Sequence, residues 1–420
     1  MLPLTTPSTL ASRQGALEQL AAFVPRAAHH YGAMRNYDEG PGPRQHVSGL
    51  SAAISRRLIA ESEVISAVLA AHPDNESSCH PFLREVLWRG YWRSYLEHRP
   101  DLWTNYRQML ADHPPSRDAA YQKAVQGHSG IDVFDGWVHE LKTEGYLHNH
   151  ARLWFASLWI HTLRLPWQWG ASWFLEHLLD GDPASNTLSW RWVAGLHTKG
   201  KAYLATESNI TQFTHQRLKP HLPPSSPVVP TEYLSEHPST GTHEPRSSQT
   251  LTGHLLEPDD ALLLLGDDLS VETLKDLASH PFRAVACLSA QTVAEAFGWS
   301  SKVRQFHENA LQDTAQRAQR IWPQSTWTVL PDSLSDRASI WTSWQARGIK
   351  RLVYPAPFAG PYHEILRHLR SELQTFKLVA LSRSYDECLI PLGKKGFFDF
   401  WNRRPPWEKL RELEQNMNMF

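Results

Sequence analysis

The chain has 420 residues, of which 41% are apolar and 20% charged, a globular composition with room for two hydrophobic cores. A formal net charge of −1 excludes global attraction to a polyanion, so any nucleic-acid site has to be a local patch. Cys79, Cys287 and Cys388 are far apart and show no CxxC spacing, which argues against a disulfide framework, a zinc ribbon or an iron–sulfur cluster and points to a reducing, cytoplasmic setting.

The opening MLPLTTPSTLASRQ has no basic stretch followed by an apolar run, and no segment reaches the roughly 20 apolar residues that span a bilayer. From Ala11 to about Lys219 apolar residues recur at steps of three and four, which predicts helices in SGLSAAISRRLIAESEVISAVLAAH, PFLREVLWRGYWRSYLEH, DVFDGWVHELKTEGYLH, NHARLWFASLWIHTL and GASWFLEHLLDG. This half is dense in tryptophan: 11 of the 18 precede residue 220, and eight lie between Trp137 and Trp192. Residues His221–His254, rich in Pro, Ser, Thr and His, read as a linker. Beyond it, short apolar runs (ALLLLG, FRAVACLS, TWTVLP, RLVYP, FKLVALS) alternate with helical patterns, the signature of a parallel βαβ sheet. The expected fold class is therefore α plus α/β: an all-helical domain over 1–220, the linker over 221–254, and a Rossmann-like parallel α/β domain over 255–420. ALLLLGDDLS reads as a strand and a turn without GxGxxG or a GxxxxGK[ST] loop.

Two Trp-rich segments flank the polar island DGDPASN, Asp180 to Asn186. Charge in so apolar a neighbourhood is either a Pro-containing exposed turn or the lining of a bound group. SGLS, Ser48 to Ser51, stands before a helical pattern; it is either a plain serine cap or a set of hydroxyl and N–H groups able to hold a diphosphate. His148-Asn149-His150 suits neither an HNH nuclease, which needs a ββα fold, nor zinc, because alternate helical residues point to different faces.

Five blocks in order, SGLSAAISRRLI, FLREVLWRGYW, GIDVFDGWVHELKTEGYLHNHAR, WQWGASWFLEHLLDGDPASN and SWRWVAG, resemble the flavin-binding domain of the photolyase/cryptochrome family over about residues 31–218. The resemblance implies FAD, with Tyr37, Ser48, Leu50, Ser51, Trp88, Asn149, Arg152, Asp180, Asp182 and Asn186 around it and Asp135 in support. It implies electron transfer through Trp167 and Trp190, with no tryptophan between Asn105 and Gly136 for the usual third position and Trp103, Trp159 and Trp169 left as candidates. It also implies that Glu85, Trp88, Asn149 and Trp192 contact a flipped pyrimidine dimer in DNA, single- or double-stranded. No metal is implied, and an antenna chromophore and a protein partner stay open.

Departures from the family accompany these matches. The α/β domain follows the helical one instead of preceding it, Gly90 replaces an acidic residue, Leu153 replaces a methionine, and His150 stands where an arginine is usual. Arg84, Arg89 and Arg93 read either as phosphate contacts or as a solvated face. The aromatic ending FFDFWNRRPPW is expected to pack on the helical domain. The expected function is FAD-dependent, light-driven repair of cyclobutane pyrimidine dimers, a carbon–carbon lyase activity. The alternative is a cryptochrome-like blue-light receptor without repair, and a dark flavin oxidoreductase lacks any nicotinamide motif.

Overall fold

A computed structural model describes residues 7–115, 118–197, 201–227, 249–250 and 256–413. Of the expected linker, residues 228–248 and 251–254 lie outside the described residues. The helical half and the parallel sheet that follows it form as expected.

The helices stop where local chemistry stops them. The long periodic stretch from Ser48 to His72 breaks into Ser51–Ser55 and Glu61–Ala71, because Arg57 between them takes a positive φ of 50°, a conformation non-glycine residues rarely adopt. Asp132–Glu144 ends at Gly145, which takes φ 68° and satisfies Leu141 O. Asn149–Ser157 starts on His148, whose Nδ1 accepts from His150 N at 3.2 Å, so that histidine is a cap. Pro183–Val193 starts on Asp182, whose Oδ1 accepts from Ser185 N at 2.9 Å with Pro183 at the first helical position.

The strands are β1 (Gln249–Thr250), β2 (Asp260–Leu264), β3 (Ala284–Leu288), β4 (Thr326–Leu330), β5 (Arg351–Pro355) and β6 (Lys377–Ser382). All neighbours are parallel, in the order β1-β6-β5-β2-β3-β4. Each face carries a separate apolar core. Val293, Trp341, Trp344, Tyr362 and Leu366 cover one, and Val271, Leu277, Phe282, Ala318 and Trp322 the other. The chain reverses direction across the sheet between β2 and β5. There the carboxyl ends form a narrow cleft lined by Asp267, Asp268, Phe358, Arg383 and Asp386 together with Arg57 from the helical half.

After β6 the chain leaves the sheet. Tyr385, Leu389, Phe397, Phe400, Trp407 and Leu410 are buried in the same core as the tryptophan-rich helices, so the stretch 255–420 is shared between the two layers. The junction is tight elsewhere as well. Leu269 N donates to Arg56 O at 3.0 Å, Ser300 N to Glu176 O at 2.9 Å, and Ala359 N to Glu97 Oε1 at 2.8 Å. No helix among the described residues is long and apolar enough to cross a membrane.

Candidate flavin site and the ion network behind it

The two island aspartates part company. Asp180 accepts from Arg152 Nη2 at 2.7 Å through Oδ2, and Arg152 is fixed in turn by donating Nε to Leu147 O at 2.9 Å. The other Asp180 oxygen, Oδ1, is buried with no hydrogen-bond partner among the described residues. A buried carboxylate oxygen left bare is costly, and it leaves an acceptor free for a donor from outside the chain. Tyr146 lies beneath, with the Arg152 guanidinium 5.2 Å and the Arg44 guanidinium 4.3 Å from its ring centre.

Arg44 leads to a second buried carboxylate. Glu140 accepts from Arg44 at 3.3 Å, yet burial, with Asp38 nearby, pushes its pKa up to about 7. An unfolded glutamate titrates near 4.3. The folded state therefore holds the proton longer, and Glu140 drains stability as pH rises from about 4.3 towards 7. Glu140→Gln is expected to remove that loss: its urea midpoint should exceed the wild-type one at pH 8 and fall level with it, or below, at pH 4.5. An unchanged difference between the two pH values would contradict the assignment.

Asp182, by contrast, is fully engaged inside the protein. Its Oδ2 accepts from Arg93 Nε at 2.8 Å with Arg89 Nε at 3.5 Å, while Oδ1 caps its own helix. Burial alone would raise this carboxyl; Arg93 and Arg89 hold it far below the usual carboxylate range. Arg89 also pairs with Glu61. Burial opposes ionisation of Glu61 too, but Arg57, Arg89 and Arg93 bring its pKa down to about 2. From Glu61 the chain of charges runs through Arg57 to Asp386 at 2.7 Å and Asp268 at 3.4 Å, and from Asp268 to Arg383 at 2.6 Å. Arg89 and Arg93 are thus neither a solvated face nor free phosphate contacts; both are buried ion-pair partners. Arg84 of that trio is half-buried beside Trp401.

The remaining expected site residues fall into three groups. Asn186 donates to Ala171 O at 2.8 Å and is half-buried, as are Ser48 and Ser51 beside the buried Leu50. Ser48 Oγ accepts from Leu50 N at 3.3 Å, while Tyr37 stacks on His215 at 4.2 Å. Trp167 and Trp190 are buried; Trp167 stacks on Tyr106 with centroids 5.6 Å apart, and Tyr106 meets Trp103 at 5.4 Å. Trp159 lies 6.1 Å from Trp190, and Trp169 meets Tyr121. Asp135 holds a turn through Ser129 N and Gly130 N.

Each member of the lesion-facing set has its own neighbours. Glu85 is paired with Arg35, Asn149 is exposed, and Trp192 stacks on Tyr203 at 5.6 Å. Trp88 lies face to face with Phe397, with ring centroids 3.7 Å apart and planes 6° from parallel. Two glycines allow this approach. A Cβ at Gly90 would sit 3.3 Å from Leu389 Cδ1, and one at Gly393 only 2.5 Å from the Ser94 backbone. The Gly90 departure from the family pattern therefore has a packing reason. Sequence reasoning missed Arg57, Asp268, Arg383, Phe358 and Tyr106; the doublets Arg56-Arg57 and Asp267-Asp268 were the available signal.

For FAD, the donor set fits at Asp180 and Arg152, where an acceptor is unfilled, and is already satisfied from within at Asp182. Among the described residues no group of three or more His, Cys, Asp or Glu side chains could hold a metal ion.

Comparison with known proteins bears on the same region. Residues 82–219, about a third of the chain, match the family described as the FAD binding domain of DNA photolyase. A deoxyribodipyrimidine photo-lyase from Synechococcus sp. is 29% identical over 231 residues, 52% of this chain and 47% of that one. One from Streptomyces griseus is 38% identical over 124 residues, 28% and 26% of the two chains. A crystal structure of a bacterial class III photolyase from Agrobacterium tumefaciens aligns at 26% identity and a TM-score of 0.41, covering 48% of this chain and 42% of that one. A cryptochrome from Synechocystis sp. aligns at 21% identity and a TM-score of 0.42, covering 48% and 43%. The chain spans less than half the length of the curated relatives it matches. The ordered sequence blocks and this match together make residues 82–219 similar to the FAD binding domain of the photolyase/cryptochrome family.

Proposed function

We propose that this chain is a blue-light flavoprotein that holds FAD in its helical half and acts as a cryptochrome-like receptor. The bare, buried Asp180 Oδ1 beside Arg152 supports the cofactor. Bound FAD supplies light-driven one-electron chemistry. The protein's own part is positional: Asp180 would accept a ring N–H, Arg152 holds that carboxylate in place, and Asn186 offers a neutral amide. Trp190 and Trp167 are buried aromatic carriers, and Tyr106, stacked on Trp167, takes the place for which the sequence supplies no tryptophan.

Repair of cyclobutane pyrimidine dimers is the second reading, supported by relatives named deoxyribodipyrimidine photo-lyase. Phe397 stacked on Trp88 favours the receptor, because it covers one face of an indole on which a flipped base would stack. The test is an absorption spectrum of purified protein incubated with FAD, before and after blue illumination with a reductant, followed by addition of dimer-containing oligonucleotide. Wild type is expected to retain a flavin spectrum that bleaches on illumination and to leave the dimers intact. Asp180→Ala is expected to weaken FAD retention at least tenfold while circular dichroism stays unchanged. Colourless protein that refuses added FAD removes the flavin reading; light-dependent loss of dimers with wild type removes the receptor reading and restores the lyase.

A further inference from the structure

The sheet ends on an open edge. Among the described strands β4 has a neighbour on one side only, β3. Thr326 N donates to Arg283 O at 3.2 Å. With Thr326 aligned on Ala284 and Leu330 on Leu288, this register turns the N–H and C=O of Thr326, Thr328 and Leu330 towards β3. The backbone groups of Trp327 and Val329 therefore point outwards, and they meet no backbone partner among the described residues. Edge strands are ordinarily guarded by lysine, proline or a bulge. Thr326-Trp327-Thr328-Val329-Leu330 contains none of these.

Side-chain burial marks the same edge. Trp327 and Val329 lie on one face of the strand. Trp327 packs on the core of Ala318 and Trp322, yet Val329 is 57% exposed. Leu334, which opens the helix after β4, is 60% exposed. These are two of the three exposed large apolar side chains among the described residues, so what apolar surface the chain shows gathers at this edge.

We propose that β4 is the interface to a second copy of this chain, the two strands pairing antiparallel about a twofold axis between their Thr328 residues. The outward groups select that partner. In this register Trp327 of each copy meets Val329 of the other, and each such pair exchanges both of its N–H···O bonds, so every outward backbone group of the two residues finds its complement. The same register sets an indole against a β-branched side chain and Thr328 against its own counterpart, both favourable cross-strand pairs. Charge does not oppose the approach, since the strand carries none and the whole chain has a net charge of −1. A strand from a different protein would lack this symmetry and would find no charged side chain on β4 to recognise. The seam requires no flavin, so it stands or falls independently of the proposed photochemistry.

Sedimentation velocity of the full chain, in darkness and without added flavin, from micromolar to near-millimolar concentration, tests it. A monomer–dimer equilibrium that stops at two copies is expected, because an isologous seam uses up the edge. Val329→Lys places a cation on the seam, and Val329→Pro removes an outward N–H that serves no bond to β3; each should weaken the dimer by about tenfold. Val329→Thr, which keeps the N–H and the branched side chain, should dimerise as wild type does. Val329 is solvent-exposed, so circular dichroism of the dilute variants should not change. A chain that stays monomeric at every concentration leaves the edge to another protein's strand and overturns the proposal, as does growth beyond two copies or a dimer that Val329→Lys and Val329→Pro leave equally strong.

Discussion

Arg57→Ala is expected to lower the stability of the chain by about 3–5 kcal/mol, the cost of removing one partner from a buried ion pair. Arg57 is almost fully buried and serves three carboxylates from three segments, Glu61, Asp268 and Asp386. Glu61 keeps Arg89 and Asp268 keeps Arg383. Asp386 keeps no other cation within ion-pair distance among the described residues and is left a buried, uncompensated charge. Because Asp268 belongs to the strand-bearing part, Asp386 to the segment that returns from β6 and Glu61 to the helical half, the loss should appear in one cooperative urea transition seen alike by far-ultraviolet dichroism and tryptophan emission. Arg57→Gly separates the two costs: at φ 50° glycine relieves about 1–2 kcal/mol of backbone strain, so it should be the milder substitution. The pH dependence follows from the depressed carboxyls. Their stabilisation is complete above the unfolded values near 4 and is lost as pH falls through about 2 for Glu61 and lower for Asp182. Arg57→Ala should therefore lose less stability than wild type between pH 4 and pH 2. A loss below about 1 kcal/mol with an unaltered acid profile would mean that the network does not join the layers.

What the sequence revealed and what it hid divide along physical lines. RLVYP coincides with β5, FRAVACLS, TWTVLP and FKLVALS each contain a strand, and ALLLLG overlaps β2. A parallel strand buried on both faces is an uninterrupted apolar run, a local signal. The helices were legible for the same reason, except where Arg57 breaks the stretch after Ser48. Periodicity cannot report that an arginine will turn inward to meet carboxylates hundreds of residues later. The same limit explains Arg89 and Arg93: helical spacing alone does not distinguish a solvated stripe from one facing another charged layer. The aspartates were found because they sit together in an apolar setting, but their divergence depends on which arginines reach them. Gly90 looked like a lost acidic group and is a contact point for Leu389, a role that exists only because the chain returns from β6 to the helical core.

That return makes Phe397 the most informative position for function. Phe397→Ala removes a ring that is 5% exposed and packed against Trp88, Tyr91 and Phe400, which should cost about 3–5 kcal/mol. The anchors Leu389, Phe400, Trp407 and Leu410 remain buried, so the segment should stay docked while the Trp88 face opens. Tryptophan emission should then shift to the red in Phe397→Ala but not in Trp88→Phe/Phe397→Ala, a comparison that isolates one indole among 18. Phe397→Leu, which keeps apolar bulk without a stacking face, should recover most of the stability and little of the parallel stack. Affinity for dimer-containing DNA gives the functional readout. If Trp88 keeps the lesion-holding role implied by the family resemblance, Phe397→Ala should bind such DNA at least tenfold more tightly relative to undamaged DNA than wild type does. Equal discrimination in both proteins would show that covering Trp88 is not what withholds the lesion, and that this face has become part of the core.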